Sequence, residues 1–136
     1  PFRNKYGNRA TSKDKAMLSM SKTLKKGGTV GLLIDQKTGP KNSVKVNFFD
    51  KLADTTISVA MLKLKFDPMV LPVFIARHSD GKYEVILNDP VDYIADEIED
   101  KEKKLEAMTS KYNQAMETII RQYPEQWFWM HNRWRI

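Results

Sequence analysis

The 136-residue sequence contains no cysteine, which removes disulfides, thiolate catalysis and cysteine-ligated metal from consideration. Histidine is nearly as scarce. His78 and His131 stand alone in the chain, and neither belongs to HExxH or another metal-ligand spacing, so no metal site is assigned. No apolar run approaches the ~20 residues that a bilayer-spanning helix needs. The G-x-S-x-G elbow, the P-loop and G-x-G-x-x-G are all missing. Gly27-Gly28-Thr29-Val30-Gly31 precedes an apolar run instead of following one, the wrong order for a phosphate cradle. Repeats and low-complexity segments are missing too. On residues alone, no catalytic centre is visible.

What the chain does carry is an ordinary globular composition, 41% apolar and 29% charged. Its length suits one domain over residues 1–136. Lysine and arginine outnumber aspartate and glutamate by 23 to 17, a formal net charge of +6. That balance favours anionic partners, whether phosphates, acidic proteins, anionic lipid or nucleic acid, without choosing among them. The sequence opens on Pro1, and we expect it to belong to a longer polypeptide.

Residues 1–10 are basic and aperiodic, an extended lead-in. Thr11 and Asp14 make a helix start signal, Met17, Met20 and Leu24 recur at helical spacing, and Gly27-Gly28 ends the helix. "TVGLLID" (29–35) is a short apolar run that reads as a strand buried on both faces, as in a parallel sheet. "VKVNFF" (44–49) alternates and reads as a half-covered strand. Residues 54–65 predict a helix with Asp54 as N-cap. "MVLPVFIA" (69–76) is a second doubly buried strand, with Pro72 at an irregularity. Asp80-Gly81 signals a hairpin turn into "KYEVILN" (82–88). Residues 97–136 are a C-terminal helix and an aromatic tail. The helix, about 97–122, carries Leu105, Met108, Tyr112, Ala115, Met116, Ile119 and Ile120 as one apolar stripe. This order predicts an α/β fold with a mixed, mostly parallel sheet flanked by helices.

Three stretches hold candidate chemistry. Asp35 and Gln36 follow the first buried run, and the carboxyl ends of such strands are where open α/β sheets bind ligands. Aspartate also simply begins turns. Arg77 ends the second run, where it can clamp a phosphate or carboxylate or be an exposed charge beside a hairpin; His78 next to it reads as solvated. If the two runs are parallel strands, Asp35 and Arg77 share a rim. The tail "YPEQWFWMHNRWRI" (123–136) packs three tryptophans with His131, Arg133 and Arg135. Trp127, Met130 and Trp134 align on one face if the tail is helical, a face suited to a core, a membrane–water interface or stacked bases.

"YPEQWFWMHNRW" (123–134) resembles the C-terminal signature of the lipid A biosynthesis lauroyl/myristoyl acyltransferases. "GGTVGLLIDQKTGP" (27–40) looks like that family's glycine–strand–Asp-Gln segment, and "VKVNFFDKLADTTISVAMLKLK" (44–65) is similar to its V-x-FF-G-x-x-A-x-T stretch. "MVLPVFIARHSDGKYEV" (69–85) resembles its V-x-P-x-F-x-x-R-x-x-x-G-x-Y strand pair, and "RNKYGNR" (3–9) its R-x-x-x-G-N. Asp50 stands where the family usually has glycine. The family's His-x-x-x-x-Asp/Glu motif is not in this chain: His78 is followed five positions on by Tyr83, and five residues remain after His131.

The resemblance implies the C-terminal part of a glycerolipid-acyltransferase-like fold whose catalytic residues lie upstream. It implies transfer of a fatty acyl chain from acyl carrier protein to a hydroxyl of a phosphorylated glycolipid acceptor, without metal or cofactor, at the cytoplasmic face of the bacterial inner membrane. Asp35, Gln36 and Arg77 carry over by position as substrate-binding rim residues, and His131 and Arg133 are placed toward the site or the membrane surface. Cut from its parent, such a piece is expected to be inactive and to self-associate through an uncovered apolar face. The other class left open is a basic nucleic-acid-binding or partner-binding module. Lysines interspersed with carboxylates, as in "DEIEDKEKK", argue against nucleic acid.

Overall fold

The computed structural model describes residues 4–12 and 15–134, which form two compact units divided after Gly31. Arg135 and Asp14 lie outside the described residues, and so does the Asp14 half of the helix start signal. In the first unit, helix α1 spans Ala16–Lys25. Its end follows from two glycines. Gly27 takes the left-handed region at φ 71° and its N–H donates to Leu24 O, while Gly28 N–H donates to Thr23 O. A Cβ at Gly28 would sit 2.8 Å from the Thr23 methyl carbon, so the second glycine is sterically required.

The second unit is a small α/β arrangement of two antiparallel two-stranded sheets with helices. Strands β1 (Ser43–Phe48) and β2 (Lys51–Thr56) pair from Ser43↔Thr56 to Phe48↔Lys51. The two residues between them, Phe49 and Asp50, have φ of 50° and 60°, the doubly left-handed form that a two-residue hairpin needs. The strained Phe49 backbone is held from outside: its N–H donates to Glu117 Oε1 at 2.9 Å. Helix α2 (Ser58–Phe66) follows. Strands β3 (Val73–Arg77) and β4 (Tyr83–Leu87) make the second hairpin, and helix α3 (Lys101–Gln122) closes the fold. Asp100 caps α3, its carboxylate accepting from the Lys103 N–H at 2.8 Å.

Phe48 and Ala53 on β1–β2 pack against Met116, Ile119 and Ile120 of α3 to form one core. Ala60, Ala95, Leu105, Met108 and Tyr112 form another around the N-terminal half of the same helix. Full burial of a side chain such as Phe48 contributes about 1.5–3 kcal/mol. The apolar stripe expected on this helix is thus the spine of both cores.

Three expectations need correction. The described residues contain no parallel strands. Residues 29–35 form no strand; Leu33 is 95% exposed, and Ile34 alone of that run packs into both cores. A parallel strand is buried on both faces only where other elements pack above and below it, and here only 73–77 of the second run is strand, in a hairpin with one face covered. Phe74 and Ile86 face the core, whereas Val73, Ile75, Val85 and Leu87 are bare. Asp54 is not a helix cap but a β2 residue opposite Lys45, since the β-branched pair Thr55-Thr56 extends the strand to the doorstep of α2. Lastly, the tail is not helical. After the 3₁₀ turn Pro124–Gln126 it proceeds by tight turns, with Trp129 N–H donating to Trp127 O and Arg133 N–H to His131 O.

Candidate functional site

The tail folds back so that its tryptophans enclose Phe48. Trp127 meets that ring edge-on at 5.5 Å and Trp134 stacks on it at 5.8 Å, with the Trp134 indole N–H donating to Phe48 O. Met130, the third member of the expected stripe, is 89% exposed. Between the two anchored tryptophans the chain delivers His131 to the Lys37 backbone and Arg133 to the β2 strand.

Arg133 is fully buried. Taking a guanidinium out of water costs several kcal/mol unless its N–H groups and charge are matched. Here Nη1 donates to Asp54 O, Nη2 donates to Thr55 Oγ1 at 2.7 Å, and the planar group lies 5.4 Å from the Phe48 ring centre. Burial pushes the Arg133 pKa down, and the negative fields of Asp35 and Asp54 push it back up. Thr55 Oγ1 accepts from Asn113 Nδ2 as well, and Asn113 also donates to Asn47 O at 2.9 Å. Strand, long helix and tail are therefore joined by one polar knot inside the apolar core. Two of its atoms, Arg133 Nε and Asn113 Oδ1, have no protein partner among the described residues.

The knot also holds the 34–38 segment. Ile34 anchors it in the core. Lys37 N–H donates to His131 Nε2 at 2.8 Å, Lys37 Nζ lies 3.7 Å from Asp54 Oδ2, and Thr38 N–H donates to Asp54 O at 3.4 Å. As an acceptor, His131 Nε2 carries no proton, so the imidazole acts here as a positioning group. Asp35 is half-buried toward Arg133, and Gln36 is exposed beside it. A short loop outside the strands is thereby given a fixed shape by the His131 and Asp54 side chains and the Asp54 carbonyl, and it presents a carboxylate and an amide.

Asp35, Gln36, His131 and Arg133 thus belong to one neighbourhood. Arg77 has another setting. It ends β3 with an exposed side chain, and its backbone pairs with the Gln126 side chain: Arg77 N–H donates to Oε1 at 2.8 Å and Nε2 donates to Arg77 O at 2.9 Å. With no parallel strands present, the shared strand-end rim for Asp35 and Arg77 loses its premise. His78 pairs with Glu84 at 2.8 Å on the open surface of the hairpin, both half-exposed. Sequence reasoning passed over Lys37, Asp54, Thr55, Asn113 and Gln126. Asn113 left a readable sign, an amide in the middle of a largely apolar helix stripe.

Among the described residues no group of His, Asp or Glu could hold a metal ion, and no helix is long and apolar enough to cross a membrane. The family model for bacterial lipid A biosynthesis acyltransferases matches residues 2–136. The chain belongs to that family. It is also 32% identical over 123 residues to a lipid A biosynthesis lauroyltransferase of Escherichia coli (strain K12). That alignment covers 89% of this chain and 38% of the relative, so the chain spans well under half the length of the protein it matches. Within the family setting, Asp50 takes on meaning: it occupies a left-handed turn position where glycine is the unstrained choice.

Proposed function

We propose that this chain is the C-terminal portion of an enzyme that moves a fatty acyl group from an acyl carrier protein thioester to a hydroxyl of a phosphorylated glycolipid precursor of lipid A. The observation that supports this reading most directly is the family match along residues 2–136. In the reaction, a base takes the hydroxyl proton, the oxygen attacks the thioester carbonyl, a C–O bond forms and the C–S bond breaks. The departing thiolate is then protonated. The base is supplied by a His-x-x-x-x-Asp/Glu motif outside this chain, since His131 is engaged as an acceptor and His78 sits on an exposed hairpin. What these residues contribute is placement. Asp35 and Gln36 present hydrogen-bonding groups to the polar acceptor, and Arg133 and His131 hold them in position. The site is read as lying at the cytoplasmic face of the inner membrane, where the net positive charge of +6 suits both an acidic carrier protein and anionic lipid. A nucleic-acid-binding or partner-binding module is not favoured by the family.

The test is an acyl-transfer assay read by mass spectrometry of the glycolipid. The isolated chain is expected to give background only, and a polypeptide carrying it behind a His-x-x-x-x-Asp/Glu half to add one acyl group per acceptor. Turnover by the isolated chain would show that the catalytic centre is misplaced.

A further inference from the structure

While Trp127 and Trp134 are drawn inward, the three residues after Trp127 point out. Phe128 is 60% exposed, Trp129 47% and Met130 89%, on a turn that presents three large apolar side chains in succession. Beside this tip runs an open cleft of about 440 Å³ lined by Phe49, Ile120, Arg121, Pro124 and Trp129. Its walls are apolar apart from Arg121. That side chain is 62% exposed, its guanidinium lies 5.0 Å from the Phe49 ring centre, and it pairs with Glu117 at 3.9 Å. An exposed guanidinium beside a ring retains N–H donors that suit a phosphate oxygen. Trp129 is itself fixed, its indole N–H donating to Pro124 O and its ring 4.6 Å from Trp127.

We propose that this tip is a docking surface for an anionic phospholipid bilayer: Phe128, Trp129 and Met130 enter the headgroup–acyl boundary while Arg121 meets lipid phosphate. The chemistry on each side matches. Aromatic rings fixed at one end and bare at the other belong at headgroup depth. A cation beside them, on a chain of net charge +6, complements a negative lipid surface. Rigidity matters as well, because Trp129 is already ordered and little entropy is lost when it inserts. The surface refines the membrane location in the proposed function, and it places the Lys37–His131 knot, a few residues along the same tail, close to the lipid boundary.

The test is co-sedimentation of the 136-residue chain with vesicles of phosphatidylglycerol and of phosphatidylcholine, with no acyl donor or acceptor present. Its outcome is therefore independent of whether acyl transfer is the right reaction. Binding to phosphatidylglycerol vesicles is expected, weaker to phosphatidylcholine and weakened by salt. The double variant Phe128→Ser/Met130→Ser, whose side chains support no core, is expected to lose at least tenfold in partition while keeping the circular dichroism of the parent. Arg121→Gln is expected to flatten the salt dependence. The proposal is overturned if the parent does not bind phosphatidylglycerol, if the double variant binds as the parent does, or if the double variant acts instead by abolishing a dimer of the chain.

Discussion

The Lys37 backbone N–H donates to His131 Nε2 across 94 positions of sequence, at 2.8 Å. A tail residue thus sets the backbone of the loop that carries Asp35 and Gln36. Replacing His131 with Phe keeps a ring of similar size but removes the acceptor. Amide hydrogen exchange at Lys37 is expected to accelerate at least tenfold, with a stability loss of about 1 kcal/mol. In the proposed longer enzyme, transfer should fall by more than that loss in folded protein explains. Unchanged exchange at Lys37 would separate the tail from the loop.

Arg133 has a larger structural role. Arg133→Ala empties a buried place and removes one donor each from Asp54 O and Thr55 Oγ1, which keep Thr38 N–H and Asn113 Nδ2, and we expect about 2–5 kcal/mol of destabilisation in urea unfolding. Arg133→Lys should rescue little of it, because an ammonium cannot reproduce the fork that meets strand carbonyl and threonine hydroxyl together. By contrast, Arg77→Ala removes an exposed side chain and should change stability by no more than about 0.5 kcal/mol. In the longer enzyme proposed above, Asp35→Asn is expected to lower turnover at least tenfold, about 1.4 kcal/mol of transition-state binding.

Asp50→Gly is expected to stabilise the chain by about 0.5–1 kcal/mol, seen as a higher urea midpoint. The native φ of 60° strains an aspartate and not a glycine, which outweighs the extra freedom glycine has when unfolded. Destabilisation instead would mean that the Asp50 side chain has a role in the turn.

Tyr112 supplies a pH dependence. Burial pushes its phenol up to about 12, above the ordinary 10 of an unfolded chain. Between those values the unfolded state releases the proton and the folded state keeps it, so stability falls as pH rises from about 10 to about 12. The loss over that window is on the order of 2–3 kcal/mol. Tyr112→Phe should remove that slope. At neutral pH it should cost little, because the hydroxyl has no hydrogen-bond partner among the described residues.

The bare face of the second hairpin, with Val73, Ile75, Val85 and Leu87 each more than half exposed, predicts concentration-dependent self-association of the chain in sedimentation velocity. Ile75→Lys in the centre of that face should abolish it. A parent that stays monomeric and binds no apolar dye would contradict this.

Much of the second unit was legible because its signals are local. Asp80-Gly81 and the alternation after it fixed the second hairpin, and the stripe from Leu105 to Ile120 fixed α3. The apolar runs 29–35 and 69–76 misled for one reason: an unbroken apolar run does not say which neighbour will cover it. Thr55 was absorbed into a helix since Asp before Thr-Thr mimics a cap, while the pairing that makes it a strand comes from Val44, eleven positions earlier. Of the candidate site, residue identities were visible and partners were not. Nothing local ties Lys37 to His131 or Asn113 to Thr55, because the first bond exists only once the tail has folded back and the second only once α3 has packed on β2.

Helix α3, 22 residues and so about 33 Å long, lends its first turns to one core and its last turns to the other. Neither core can melt without fraying a rod on which its neighbour also depends. The second unit should therefore lose its structure as one cooperative block, with slow-exchanging amides running without a gap from Leu105 to Ile120. A substitution such as Met108→Ala would then be felt at Phe48, in a core it does not touch, as a fall in protection of the same size. The hydrogen-bonded ladder of a single helix would be the carrier of that loss.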